Sequence, residues 1–161
     1  MAKVVLVCDG EKLSVDLDVV NKSTILKNMI EDTGKDGDIP IPNIQLPILR
    51  KIIEFCEHYK NSNPKEIRRP LVSSKLTENN VDEWDAHFIE LEKVDDIIDL
   101  VIAANFLDIE SLVALGCAKI ATFIKGKSVE EIRDVFGIQN DFTPQEEQQL
   151  REENKWAEEA I

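Results

Sequence analysis

No run of apolar residues approaches the roughly 20 that a membrane-spanning helix needs, so no segment is expected to cross a bilayer. Basic residues are scarce: 19 Lys and Arg stand against 32 Asp and Glu, for a net charge of −13. Such a chain repels phosphates, which argues against nucleic acid and against anionic membrane surfaces as partners. Histidine is limited to His58 and His87, and no Cys-x-x-Cys occurs. Cys56 and His58 stand two apart in a helical pattern and point to different faces, so no zinc site is expected. No Gly-x-Gly-x-x-Gly or Walker-type loop supports nucleotide binding. The stretch from Asp32 to Asn43 puts Gly37 at the sixth place of a calcium loop, but Pro40 at the ninth and Asn43 at the twelfth cannot serve as its ligands. Cys8, Cys56 and Cys117 are odd in number, far apart and set among apolar neighbours, a pattern of buried thiols in a reducing compartment rather than of disulfides. The N-terminus runs straight into a strand pattern and lacks the length and cleavage site of a signal peptide. The sequon Asn21-Lys22-Ser23 is then not expected to be glycosylated. No Ser or Cys has an evident base. Asp95, Asp96 and Asp99 lie at and near a helix start, where they complement its dipole. No cofactor, metal or catalytic step is expected.

A chain of 161 residues makes one domain, or one domain with an extension. Val4 to Cys8 is a short apolar run. Lys12 to Leu17 alternates, with Leu13, Val15 and Leu17 on one face. Asp9-Gly10 between them predicts a β-hairpin. Ser23 opens a short amphipathic helix through Ile30. Pro40 and Pro42 confine the stretch from Asp38 to Pro42 to an edge strand, because proline cannot donate to a ladder. A helix follows from about Leu46 to Tyr59. Residues 60–82 carry Pro64, Pro70 and Asn79-Asn80 without a sustained period and are expected to form a flexible loop. A short helix is predicted at Trp84–Ile89, a longer one from Asp95 to Phe106, and another from Ile109 to Ile124. The last is apolar over much of its circumference, so it is either central to a core or shared with a partner. The apparent class is α+β.

The final stretch is the most specific. Ser128-Val129-Glu130-Glu131 is a capping box, with Val129, Ile132, Val135 and Phe136 along one face and Gly137 placed to end the helix. Thr143-Pro144-Gln145-Glu146 is a second box, with proline at the first helical position. Beyond it the chain is strongly acidic, and its only sizeable apolar groups are Leu150 and Trp156. So thin a stripe stabilises a helix poorly alone. The expectation is a segment that orders on a partner, with Trp156 as anchor.

Several phrases share one source: Ala103-Ala104-Asn105-Phe106-Leu107-Asp108-Ile109, Gly116-Cys117, Ile124-Lys125-Gly126-Lys127-Ser128, Glu130-Glu131-Ile132-Arg133, Asn140-Asp141-Phe142-Thr143-Pro144 and Glu153-Asn154-Lys155-Trp156-Ala157. With the element order, they resemble the S-phase kinase-associated protein 1 family, adaptors of SCF (Skp, cullin, F-box) ubiquitin ligases. The resemblance implies a BTB/POZ domain over 1–125, including the 60–82 loop, and an F-box-binding helical extension over 126–161. It implies a non-catalytic bridge between F-box proteins and the N-terminal domain of a cullin, in cytoplasm and nucleus, serving ubiquitin-dependent degradation and the cell cycle. The implied cullin surface is Ile39, Ile41, Pro42, Asn43, Asn105 and Phe106. Phe106 replaces the family's usual tyrosine, so an aromatic anchor stays while a hydroxyl is lost, and slightly weaker cullin binding is expected. The implied F-box surface is Leu100, Leu112, Leu115, Cys117, Ile120, Ile124, Ile132, Phe136, Ile138, Phe142, Leu150, Asn154 and Trp156. Val129 stands where the family often has proline. In some protist members the proline equivalent to Pro144 is hydroxylated and then glycosylated, which makes Pro144 a candidate for hydroxylation. Two neighbouring roles compete: an elongin C-like or self-associating BTB scaffold, and an F-box partner in non-ligase assemblies such as kinetochore complexes. Elongin C stops near the end of the BTB fold, so the two C-terminal boxes count against it. A homodimer of the free protein would cover the exposed apolar helix.

Overall fold

The computed structural model describes residues 2–34 and 36–158. Strand β1, Lys3–Cys8, pairs antiparallel with β2, Glu11–Asp16. Asp9 and Gly10 both take positive φ, 50° and 79°, as a two-residue hairpin turn requires. The Asp9 carboxylate also accepts a hydrogen bond from the Leu46 N–H at 2.8 Å. It thereby caps a helix 37 residues away whose own N-cap, Gln45, makes no side-chain cap. The strand predicted through Leu17 stops at Asp16. Leu17–Val20 is a short helix, α1, that the alternating pattern concealed. Asp16 turns instead to Lys60 at 2.9 Å, and this hydrogen bond holds its carboxyl below the ordinary range.

Helix α2, Thr24–Thr33, is capped by Ser23, whose hydroxyl accepts from the Leu26 N–H and donates to the Leu107 carbonyl. Strand β3, Asp38–Pro40, runs parallel to β1 at the sheet edge, in the order β2-β1-β3. There Pro40 needs no N–H of its own. Helix α3, Leu46–His58, packs on α5, Val94–Phe106. Between them comes α4, Glu83–Phe88, and after them α6, Glu110–Ile124. Val4, Leu6, Ile39, Leu49, Ile52, Ile97 and Leu112 form the core of this unit. Gly116 carries the α5–α6 contact: a Cβ there would lie 2.2 Å from Val101 Cγ2. A mid-helix glycine costs about 1 kcal/mol against alanine, which this close approach offsets.

Residues 60–82 contain more order than their composition predicts. Leu76–Asn79 is a 3₁₀ turn, and Asn79 is fully buried. Its side chain accepts from Val72 N–H at 2.7 Å and donates to the Ser73 and Lys75 carbonyls at 2.9 and 2.8 Å. Asn80 takes φ 64° and donates to the Glu66 carbonyl.

An aromatic cluster joins α3 to α4. His58 stacks on Trp84 at 3.6 Å, and Phe55 lies 5.5 Å from Phe88. Beside it, the Tyr59 hydroxyl donates to Asp85 Oδ2 at 2.6 Å, while Asp85 Oδ1 has no partner among the described residues. Burial raises the Asp85 carboxyl above its ordinary 3.8, against the lowering effect of the Tyr59 bond. The folded state therefore holds this proton more tightly than the unfolded chain does. Stability from this group is full below the ordinary value and is lost as pH rises through the folded value. Asp85→Asn keeps an acceptor for Tyr59 and removes the titration. The urea midpoint of the variant relative to wild type should therefore rise on going from pH 4 to pH 7, and an unchanged difference would contradict this.

Candidate functional site

The chain divides into two compact units, residues 1–122 and 123–161, with the boundary inside α6. In the second unit, α7 is Val129–Phe136, α8 is Pro144–Glu153 and α9 is Lys155–Glu158. Both capping boxes form. Ser128 accepts from the Glu131 N–H while Glu131 accepts from the Ser128 N–H, and Thr143 and Glu146 do the same. These backbone bonds hold the Glu131 and Glu146 carboxyls below their ordinary range. Gly137, at φ 64°, closes α7 with the Ile138 N–H bonded to the Arg133 carbonyl.

Neither α7 nor α8 has a buried residue. What links them is polar. Glu147 takes hydrogen bonds from Asn140, Arg151 and Arg133, which lower its carboxyl, and Arg151 also pairs with Glu130. The Arg151–Glu130 pair is exposed and contributes little, while Arg133 and Glu147 are half-buried. The apolar side chains stand outward: Trp156 is 70 % exposed, and Ile124, Val129, Ile138, Phe142 and Leu150 are between 39 and 55 % exposed. Ile132 and Phe136 are half-buried. Val129, Phe142, Leu150 and Ala157 line an apolar groove of about 390 Å³, edged by Arg133, Arg151 and Asn154. This brings together three sequence-predicted residues, Phe142, Leu150 and Asn154. Val129, Arg133 and Ala157 were missed as site residues, although Val129 sits on the apolar face that the helical period predicts. Pro144 is exposed at the first position of α8.

In the first unit the predicted residues divide by burial. Pro42, Asn43, Asn105 and Phe106 are exposed, with Asn43 at φ 64°. Ile39 and Ile41 are buried, at 0 and 5 % exposure, and support this surface from within. Leu100, Leu112 and Leu115 are likewise core residues, at 2, 0 and 3 % exposure, rather than surface ones. A helix apolar all round does not reveal which stripe faces inward, and in α6 it is Leu112, Leu115, Gly116 and Ala118. Cys117 is exposed, which overturns the reading of a buried thiol and leaves it accessible, as its place in the implied F-box surface requires, and Ile120 is half-buried. Cys8 and Cys56 are buried as expected, and burial pushes the Cys56 thiol up to about 12. Such a thiol is inert at neutral pH.

Two family models match the chain. One describes the Skp1 family tetramerisation domain, over residues 2–61, and the other the Skp1 family dimerisation domain, over residues 110–157. An S-phase kinase-associated protein 1 homolog of Tetrahymena thermophila is 56% identical over 152 residues, covering 94% of this chain and 91% of the relative. The SCF E3 ubiquitin ligase complex subunit sconC of Aspergillus clavatus is 48% identical, covering 94% of both chains. Its counterpart in Aspergillus terreus is 47% identical, covering 94% of this chain and 92% of the relative. With an α+β first unit, two capped C-terminal helices and this similarity over nearly its full length, the chain belongs to the Skp1 family.

Proposed function

We infer that this chain is the adaptor subunit of an SCF-type E3 ubiquitin ligase. It bridges a cullin N-terminal domain to F-box substrate receptors and performs no chemical step itself. One observation carries the reading: α7 and α8 are fully capped helices with no buried residue and an outward row of large apolar side chains. A soluble chain tolerates such a row where a partner covers it. The F-box supplies that cover on Phe142, Leu150 and Trp156 and on the exposed side of α6 at Cys117 and Ile120. Leu100, Leu112 and Leu115 act indirectly, by holding α6 in place. The cullin takes the exposed Pro42, Asn43, Asn105 and Phe106. A ligase adaptor of this kind works in cytoplasm and nucleus. Without a receptor, the same apolar row is available to a second copy, consistent with a family model described as a dimerisation domain.

Phe106→Lys tests the two-surface picture, because this side chain is exposed and does not support the core. A charge in an interface centre in place of an aromatic anchor should weaken binding to a cullin N-terminal domain at least about thirtyfold, since truncating a hot spot costs roughly 2 kcal/mol or more. Binding to an F-box peptide should stay within about twofold. Titration calorimetry reads both affinities. Loss of both with an unchanged unfolding curve would contradict separate surfaces.

A further inference from the structure

The pair Arg68-Arg69 has no role in the bridging reading, and its setting is specific. Asn79 and Asn80 pin the strap that carries it. The Asn79 carbonyl accepts from the Arg68 N–H at 2.9 Å, the Asn79 side chain holds Val72, Ser73 and Lys75, and Asn80 holds the Glu66 carbonyl. The two arginines are therefore presented from a fixed backbone. Both are exposed, and neither takes part in an ion pair or side-chain hydrogen bond among the described residues. In a chain of net charge −13, two adjacent cations without acidic partners stand out.

They face a groove. A cavity of about 560 Å³ is bounded on one side by Ile67 to Leu71 and on the other by the start and outer face of α6, and Asn105 at the end of α5 closes it where it borders the surface assigned to the cullin. Its apolar lining includes Val113, Ala114 and Ala121, beside Cys117. Asp108 and Glu110 supply the opposite charge on the helix side. The groove thus has an apolar lining with a cationic edge and an anionic edge. A matching segment carries an apolar row flanked by carboxylates on one side and by Lys or Arg on the other, which a helix achieves with i, i+4 spacing on each edge.

We propose that the Ile67–Leu71 strap selects among receptors, by docking a helical segment of the F-box protein whose acidic edge faces Arg68 and Arg69 and whose basic edge faces Asp108 and Glu110. This rests on the adaptor reading above and adds to it a charge rule for which receptors bind well. The attraction is between exposed charges, so it tunes affinity rather than creating it, and it fades as salt screens it.

The probes are three F-box peptides that differ only along one edge of their helical segment, carrying two Glu, two Gln or two Lys. They are titrated against the full chain and against Arg68→Glu/Arg69→Glu, a pair of exposed substitutions. The wild type should prefer the Glu peptide to the Lys peptide about tenfold at low salt, and the double variant should reverse that order. The Gln peptide should bind both proteins within about twofold. Glu110→Lys should leave this Glu-edge preference in place while disfavouring a fourth peptide, which adds Lys on the opposite edge. In 0.5 M NaCl the preferences should shrink below about threefold. Equal Glu-to-Lys ratios for wild type and double variant, with the Gln peptide bound, would overturn the strap's role alone. No binding of any peptide to the wild type would overturn the adaptor reading and this proposal with it.

Discussion

Replacing Phe142 with Asp and Trp156 with Ala is expected to weaken binding to an F-box peptide by at least about a hundredfold while leaving the unfolding of the first unit unchanged. The two side chains are 46 and 70 % exposed, so the free protein loses little apolar burial when they are removed. In a complex the balance differs. Aromatic residues dominate interface energetics, and truncating a central one costs roughly 2–4 kcal/mol. Aspartate at 142 adds the cost of burying a carboxylate in an apolar groove that Val129, Leu150 and Ala157 line. The nearest cations, Arg133 and Arg151, are already engaged with Glu147 and Glu130 and answer only part of that charge. Even a 3 kcal/mol loss exceeds a hundredfold in affinity. Calorimetric titration measures the loss, and a parallel urea titration followed by Trp84 fluorescence checks the first unit. A change in affinity below about threefold would mean that the F-box does not use this row, and the reading of α7 and α8 as a partner-completed surface would fail.

Local rules made much of the structure legible. The Asp9-Gly10 turn, the edge position of Pro40, both capping boxes, Pro144 at the first position of α8 and the Gly137 stop each depend on a few neighbouring residues, and each stands as the sequence predicts. Where a feature depends on distant contacts, the sequence was silent or misleading. Asp9 capping α3 across 37 residues leaves no local trace. The same holds for Ser23 reaching the Leu107 carbonyl across 84. The inward stripe of α6 was ambiguous because apolar residues cover most of its circumference, so nothing in the pattern corrected the resemblance, which put Leu112 and Leu115 on the F-box surface beside Cys117, or the reading of Cys117 as a buried thiol. Gly116 gives no periodic signal, and its purpose appears only once Val101 is seen against it. The apolar groove of the second unit was half legible: Leu150 follows from the tail's thin stripe and Phe142 and Asn154 from the family resemblance, whereas Arg133 and Ala157 enter only through the way the helices of this unit meet.

Asn79→Ala is expected to destabilise the first unit by about 2–4 kcal/mol, unusually much for a residue in a segment that reads as loop. The residue is fully buried, so water cannot readily replace its amide. Its removal orphans the Val72 N–H and deprives the Ser73 and Lys75 carbonyls of a donor. Each buried polar group left without a partner costs about 1–3 kcal/mol. The sum is held down because residues 72–75 can shift toward solvent, and Val72 is already half exposed. Asn80→Ala is the matched control: it loses one exposed bond to the Glu66 carbonyl and the preference of asparagine for positive φ, together worth about 1 kcal/mol. Asn79→Asp separates the two kinds of contact, for it keeps the acceptor for Val72 but turns both donors into acceptors facing carbonyls. It should therefore be at least as damaging as alanine. In a chain of this length each kcal/mol moves the melting temperature by roughly 2–4 °C. Asn79→Ala should accordingly melt at least about 4 °C below wild type, and Asn80→Ala no more than about 4 °C below. Equal, small shifts for the two would show that the strap is not pinned through Asn79. The fixed presentation of Arg68 and Arg69 would then lose its structural basis.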